Sequence, residues 1–317
     1  MILKKRSLQI NYLAHDALRR RIKLAHPSFN KIEQNYQMAK AGVWGEEAVD
    51  AQLGSYIHPF PHLILHDIHL KAGSYFQVDN LFITQSFILV IEVKNIKGKI
   101  ELKQSPFELI RTNDAGEILH MDSPEEQLDK NIMWLEDWLS VRNWNIPVKG
   151  IIVFTNQDSV INVNQASYEI VKTKYLTKRI RKMDHSIKHL SEIEMMKLGR
   201  EILHHHSNYK HKSMMEQYNL VSTDIITGVE CPVCHEFGMK KEKRYWVCSQ
   251  NHRSSTTHIQ ALEDYFFIFG HHISNKDSRR FLKIKSAHVA KRLLKNMNLV
   301  EKGKLRYRTY EKVHESK

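Results

Sequence analysis

The run from Phe87 to Val93, within the string FILVIEVKN, is nearly all aliphatic or aromatic, yet it contains Glu92 and is followed at once by Lys94. Such a run reads as a buried strand, and because side chains alternate along a strand, Glu92 and Lys94 stand on one face. Charges in such places are paired or serve a site. One reading is a half-buried ion pair of Glu92 with Lys94, or of the lysine with Asp79. The other reading is chemical. A hairpin with its first strand at about 76–84 and its turn at Gln85-Ser86 would bring Asp79, Glu92 and Lys94 to one point. Two carboxylates are hard ligands that suit Mg²⁺ or Mn²⁺ together with phosphate oxygens, and the Val93 carbonyl can add a ligand. Lys94 is then placed to orient an attacking water or to stabilise charge on a phosphoryl group.

The elements around this pair follow an order. Residues 33–53 read as a helix stopped by Gly54, and 62–70, 75–84 and 87–95 read as three strands. Ser123 is placed to cap a helix with Pro124 at its first position and Leu128, Ile132, Leu135 and Leu139 along one face. An apolar strand follows at 148–155. The sum is α-β-β-β-α-β.

This order, with D…E-x-K on the second and third strands, resembles the PD-(D/E)XK nuclease superfamily, whose fold is that of many restriction and repair endonucleases. Within it the chain is similar to the nuclease-related domain (NERD) family. Four strings carry the resemblance: Gly42 to Glu46 (G-x-x-G-E), Gln77-Val78-Asp79, Ile91 to Asn95 followed by Gly98, and Pro124-x-x-Gln127. Ser123-Pro124 stands where the family usually has asparagine-proline. The resemblance implies an α/β, restriction-endonuclease-like core and a Mg²⁺-dependent DNA nuclease. Asp79, Glu92 and Lys94 fall on its catalytic motif, Glu46 on the helix acid that supports the metal site, and Gln77 and Gln127 on supporting or phosphate-contacting positions. Glu47 is the rival of Glu46: the two point about 100° apart on a helix, so only one can face the strands.

The chain has three cysteines, Cys231, Cys234 and Cys248, with His252 four residues after the last. C-x-x-C…C-x-x-x-H is a zinc-ligand spacing, and four protein ligands make a closed, structural site. His252 has the best spacing, with His235 and His258 as alternatives. The intervening residues would form the hairpin of a small zinc ribbon whose folding depends on the metal.

Residues 271–317 hold fourteen Lys and Arg against four Asp and Glu, a net of ten out of the chain's +13. Ser274 and Ser286 are placed to cap two short helices, with Val289, Leu293, Leu294 and Met297 inward on the second. The tail around Lys302-Gly303-Lys304 alternates as a hairpin would. The segment resembles a winged helix-turn-helix. In that arrangement Lys291, Arg292 and Lys295 project from the second helix and Lys304, Arg306 and Arg308 line the wing, all toward a nucleic-acid backbone.

These readings divide the chain into a basic helical lead (1–32), a nuclease-like domain (33–207), a polar linker (208–226), a zinc ribbon (227–256) and a winged module (257–317). Arg19, Arg20 and Arg21 of the lead either touch DNA or form a solvated face, the latter being the favoured reading. The Lys-rich string YEIVKTKYLTKRIRKM continues the nuclease-like domain. No stretch is long and apolar enough for a membrane span and no signal peptide is visible, so no membrane partner and a cytoplasmic setting are expected. No G-x-x-x-x-G-K-[ST] loop occurs, which argues against ATP-driven work. A double-strand break from one active site needs a homodimer or two successive nicks. The competing expectations are a non-catalytic DNA-binding protein that keeps a nuclease scaffold, and an adaptor that binds RNA or protein through its zinc ribbon and basic tail.

Overall fold

Both faces of the strand Ile88–Lys94 carry apolar side chains, so it can sit only inside a sheet covered on both sides. The computed structural model describes residues 1–104, 106–163, 165–207, 212–304 and 307–312. It divides into two compact units, one of residues 1–8 with 40–209, the other of 9–39 with 210–317.

In the first unit the six-stranded sheet runs β1 (Ile2–Lys4), β2 (His62–Ala72), β3 (Ser74–Thr84), β4 (Ile88–Lys94), β8 (Val148–Phe154), β10 (Glu169–Lys172). β2, β3 and β4 form an antiparallel meander, while β4, β8 and β10 are parallel. The excursion between β4 and β8 contains β5 (Lys99–Gln104), β6 (Phe107–Thr112), β7 (Ile118–Asp122) and the crossover helix α3 (Pro124–Ser140). β7, β6 and β5 join β9 (Val160–Val163) in a second, four-stranded sheet. The α-β-β-β-α-β order is present, and this second sheet is an addition to it.

Two cores lie against the main sheet. Leu81, Ile83, Ile88 and Val90 pack with Leu128, Ile132 and Leu135 of α3, whose first turn is capped by the Ser123 side chain accepting from the Glu125 N–H. Phe82, Leu89, Ile91 and Val93 pack with Val49 and Leu53 near the end of α2 (Phe29–Ser55), and with Leu176 and Ile180 of α4 (Leu176–Lys182). α5 (Glu192–His205) contributes Met195, Leu198 and Ile202 to the first core.

Two glycines set helix positions. A Cβ on Gly45 would come within 2.7 Å of Asn95 Cβ and 2.9 Å of Thr155 Oγ1, so α2 approaches the ends of β4 and β8 more closely than any other residue permits. Asn95 completes that contact, its amide donating to the Ala41 carbonyl at 2.8 Å. A Cβ on Gly150 would meet Ile132 and Leu128 at 2.7–2.9 Å, which seats α3 on β8.

The second unit begins with α1 (Ile10–Arg21) and the start of α2, and continues with α6 (Met214–Gln217), a small sheet of β11 (Lys240–Glu242), β12 (Tyr245–Val247) and β13 (Arg253–Ser254), and α7 (Thr257–Phe269). It ends with β14 (His272–Ser274), α8 (Asn275–Leu282), α9 (Ala287–Lys295), β15 (Leu299–Lys302) and β16 (Thr309–Lys312), the last sheet ordered β14-β16-β15. Ser274 and Ser286 cap α8 and α9, as their sequence predicts.

Three sequence expectations need correction. The helical lead at 1–32 is divided: β1 pairs in parallel with β2 in the first unit, while α1 belongs to the second. Arg20 and Arg21 are not a solvated face. Arg21 is fully buried, its Nε donating to Asp264 at 2.7 Å and its Nη1 to the Ile226 and Gly228 carbonyls, and Arg20 bridges Asp264 and Glu230. Asp264 is itself fully buried, so it demands these cations. Residues 212–226 are not a free linker either, because Met214, Leu220 and Ile225 are core residues; 208–211 lie outside the described residues.

The Gly45 contact gives a paired prediction. Gly45→Ala should destabilise the protein by about 1–3 kcal/mol, since backbone or Asn95 must give way. Gly42→Ala, at a helix position with nothing within 4 Å of the added carbon, should instead stabilise by about 0.5–1 kcal/mol. Denaturant melts of the two variants check this; equal effects would contradict the close-approach explanation.

Candidate active site and metal centre

Asn80 faces Ile91 in the β3–β4 ladder, and one further step of that register sets Asp79 across from Glu92. Both continue the rows of Leu81 and Val90 past the point where aliphatic packing against α3 ends. The ladder stops there, and the Asp79 carboxylate replaces it, its Oδ2 accepting from the Val93 N–H at 3.0 Å. Lys94 Nζ donates to Glu92 Oε1 at 2.7 Å and to Gln127 Oε1 of α3 at 2.8 Å. Asp79, Glu92, Lys94 and Gln127 thus meet at one end of the sheet.

The electrostatics follow from burial. Glu92 is 2 % exposed. Burial first, then the Asp79 charge, and more weakly that of Glu46, push its pKa up to about 8 against the pull of Lys94. Burial likewise raises the Asp79 pKa, opposed by the Val93 hydrogen bond and by the Lys94 and Arg6 charges. A buried and a half-buried carboxylate side by side are an arrangement that a divalent cation relieves.

Glu46 is the acid that turns inward; Glu47 is exposed. Glu46 does not stand open, however. Its Oε2 accepts from Arg6 Nη1 at 2.9 Å, and Arg6 also makes a two-pronged contact with Asp50 at 2.8 Å and donates to the Asp79 carbonyl and Asn80 Oδ1 at 3.1 Å. His66 joins the same knot through Asp50 and Asn80. Arg6 therefore ties α2 to β3 at Asp79. Sequence reading missed it, because it lies in a basic string; the available signal was the pair Glu46 and Asp50, four apart on one helix face and in need of a cation. Gln77 is two residues from Asp79 on β3, but its side chain donates to Asp67 at 3.0 Å, which also pairs with His69 at 2.8 Å.

A second cluster lies in the other unit. Among the described residues, one group of three or more metal-ligating side chains has all its donor atoms within 4.8 Å of one another, and it is Cys231, Cys234, Cys248 and His252. The measured separations are 3.6 Å and 3.4 Å from His252 Nδ1 to the sulfurs of Cys231 and Cys248, and 4.0 Å between the sulfurs of Cys234 and Cys248. Tetrahedral zinc–thiolate bonds of about 2.3 Å place sulfurs roughly 3.8 Å apart, so these spacings fit. The backbone N–H groups of Val233 and His252 point at the sulfurs of Cys231 and Cys248. Burial raises the Cys231 pKa, but the backbone N–H groups of Cys234 and Val233 and the neighbouring thiols outweigh it and hold it at about 6. The alternatives are set aside: His235 is exposed and pairs with Glu230, and His258 accepts from the Trp246 indole at 3.2 Å.

Lys291, Arg292 and Lys295 are exposed on α9, and Lys304 is exposed beyond β15. Glu301 pairs with Arg308 at 3.1 Å and lies 3.9 Å from the Lys295 ammonium. Arg306 lies outside the described residues.

The first site brings two carboxylates and a lysine together where the β3–β4 ladder of a mixed sheet ends. Residues 41–155 match the family model of the nuclease-related domain, so this segment, from the second half of α2 through β8, is a nuclease-related domain. No curated protein and no solved structure matches the chain. Among the described residues no helix is long and apolar enough to cross a membrane.

Two outcomes follow from these geometries. An unfolded glutamate titrates near about 4.3, whereas folded Glu92 keeps its proton to about 8. Between those values the unfolded chain binds fewer protons, so in buffer without Mg²⁺ or Mn²⁺ stability is greatest below the lower value and falls as pH rises toward the upper one. Denaturant melts across that range should show the decline, and Glu92→Gln should flatten it; a wild-type slope surviving in the variant would contradict the assignment. At the other centre, purified protein should carry about one zinc per chain. Cys231→Ser or Cys248→Ser should lose it and make residues 230–254 sensitive to protease, and full metal content in these variants would be the contrary result.

Proposed function

We propose that the protein is a Mg²⁺-dependent DNA nuclease that hydrolyses phosphodiester bonds at the Asp79–Glu92–Lys94 site. The observation that carries this is a buried Glu92 beside a half-buried Asp79 and a lysine where the β3–β4 ladder ends. Asp79 and Glu92 would hold the cation, with the Val93 carbonyl as a further ligand. Bound Mg²⁺ or Mn²⁺ would supply Lewis acidity at a phosphoryl oxygen and lower the barrier to ionising water. Lys94, fixed by Glu92 and Gln127, would orient the attacking water in line with the scissile phosphorus and offset charge on the phosphoryl oxygens. Arg6 and Glu46 position Asp79 and do not touch the substrate. Gln77 would support the site from the Asp67 side.

The second unit supplies the hold on DNA in this reading. Cys231, Cys234, Cys248 and His252 would bind structural Zn²⁺ in a zinc ribbon. The α8–α9 pair with its hairpin would act as a winged helix-turn-helix, with Lys291, Arg292, Lys295 and Lys304 meeting phosphates. Glu301 holds Arg308 at 3.1 Å, which would shape the wing, and pairs more loosely with Lys295 at 3.9 Å, which leaves that lysine for phosphate.

A second reading, a non-catalytic DNA-binding scaffold, is favoured by one observation: Arg6 occupies Glu46, which leaves two carboxylates for the cation. Cleavage assays separate the two. Supercoiled, linear and single-stranded DNA and RNA are incubated with Mg²⁺, Mn²⁺ or neither. The nuclease reading predicts metal-dependent DNA cleavage that falls by about 10²–10³-fold in Asp79→Ala and in Lys94→Ala while DNA affinity persists. Absence of cleavage with every metal would establish the scaffold instead.

A further inference from the structure

The Lys-rich string after β8 shapes a cleft that the site described above does not use. It has a volume of about 620 Å³, within the range that holds small ligands. Its floor is apolar, from Ile161 and Val163 of β9 and Ile170 of β10, and its rim is Tyr175, Lys178 and Lys182. The rim residues recur at i, i+3 and i+7 along α4 and the residue before it, opposite the buried Leu176 and Ile180. Tyr175 is 51 % exposed. Arg179 and Glu169 also line the cleft and pair with each other, so the charge left on the rim is that of the lysines. Lys172 braces the wall, its ammonium donating to the Asn156 and Ser159 carbonyls at 2.8 Å and 2.7 Å.

An apolar floor edged by an aromatic ring and two ammonium groups has the chemistry of a nucleotide: a flat base to cover the floor and stack on the ring, and flanking phosphates for the lysines. A duplex offers no free base face to such a floor. The cleft also lies on the same sheet as the carboxylates. Lys172 pairs with Phe154 and Phe154 with Lys94, so two strand spacings, roughly 10 Å, separate β10 from β4. We infer that this cleft is a substrate subsite that takes an unpaired nucleotide of the strand being cut, and that it gives the enzyme a preference for single-stranded segments. The inference rests on the nuclease reading and names its substrate class.

Binding without cleavage tests it. Full-length protein carrying Asp79→Ala is titrated into labelled oligothymidylate and into a blunt duplex, in buffer without Mg²⁺ or Mn²⁺, at several salt concentrations. Adding Tyr175→Ala and Lys182→Glu should weaken single-strand binding by about ten-fold or more, lower its salt slope by about one, and leave duplex affinity within about two-fold. Arg181→Glu, a charge change on the same helix outside the cleft, is the control and should leave the single-strand preference in place. Equal losses for both DNAs, no loss for either, or the same loss in the control would each overturn the subsite. All three side chains are exposed, and melting curves are recorded beside the titrations to check that the variants fold. Because no cleavage is read, failure of catalysis in the unsubstituted chain bears on the nuclease reading and not on the cleft.

Discussion

Like charges on adjacent strands repel, and burial strengthens the repulsion by removing the water that would screen it. Asp79 and Glu92 are held in that relation by β-ladder register, which cannot slip by one residue without turning every core side chain of β3 and β4 to the wrong face. The aliphatic rows Leu81–Ile83 and Ile88–Val90 therefore do more than fill a core. They fix the separation of two carboxylates that would otherwise part. What surrounds the pair compensates it in part: Lys94 on Glu92, the Val93 N–H on Asp79, and Arg6 behind the Asp79 backbone. The compensation is incomplete, as the elevated Glu92 pKa records.

The two candidate metal centres differ in the way their side chains are satisfied. The Cys231–Cys234–Cys248–His252 cluster has four soft or borderline ligands and backbone N–H groups aimed at two of the sulfurs, so a zinc ion there would be enclosed by protein and serve folding. The carboxylate pair has two hard ligands and a lysine, which leaves coordination positions to water and substrate oxygens. One centre suits permanent structure and the other suits exchange.

Much of this was legible in the sequence because it depends on local patterning. The apolar run broken by Glu92 located β4, Ser123-Pro124 located the start of α3, and cysteine spacing located three members of a cluster that could hold a metal. What could not be read depends on contacts between segments far apart in the chain. Arg6 reaches Glu46 and Asp50 across some forty residues, and Arg21 reaches Asp264 across more than two hundred. Neither leaves a periodic mark, so both arginines looked like members of solvated basic strings. The strands β5 to β7 were passed over for a different reason: each is short, and in β5 Ile100 and Leu102 alternate with charged residues on a sheet that is open on one face. The fourth member of the cysteine cluster needed the structure, since three histidines lay within reach in sequence.

If the carboxylates of Asp79 and Glu92 share a divalent cation, the protein binds Mn²⁺ through them. Manganese titration followed by electron paramagnetic resonance tests it most directly, because bound Mn²⁺ leaves the sharp signal of the free ion. Zinc-loaded protein at pH 8.5 should remove about one Mn²⁺ per chain from that signal, Mg²⁺ should compete it away, and Asp79→Asn or Glu92→Gln should abolish the binding. Equal Mn²⁺ uptake by wild type and both variants, or none by any of them, would contradict the account.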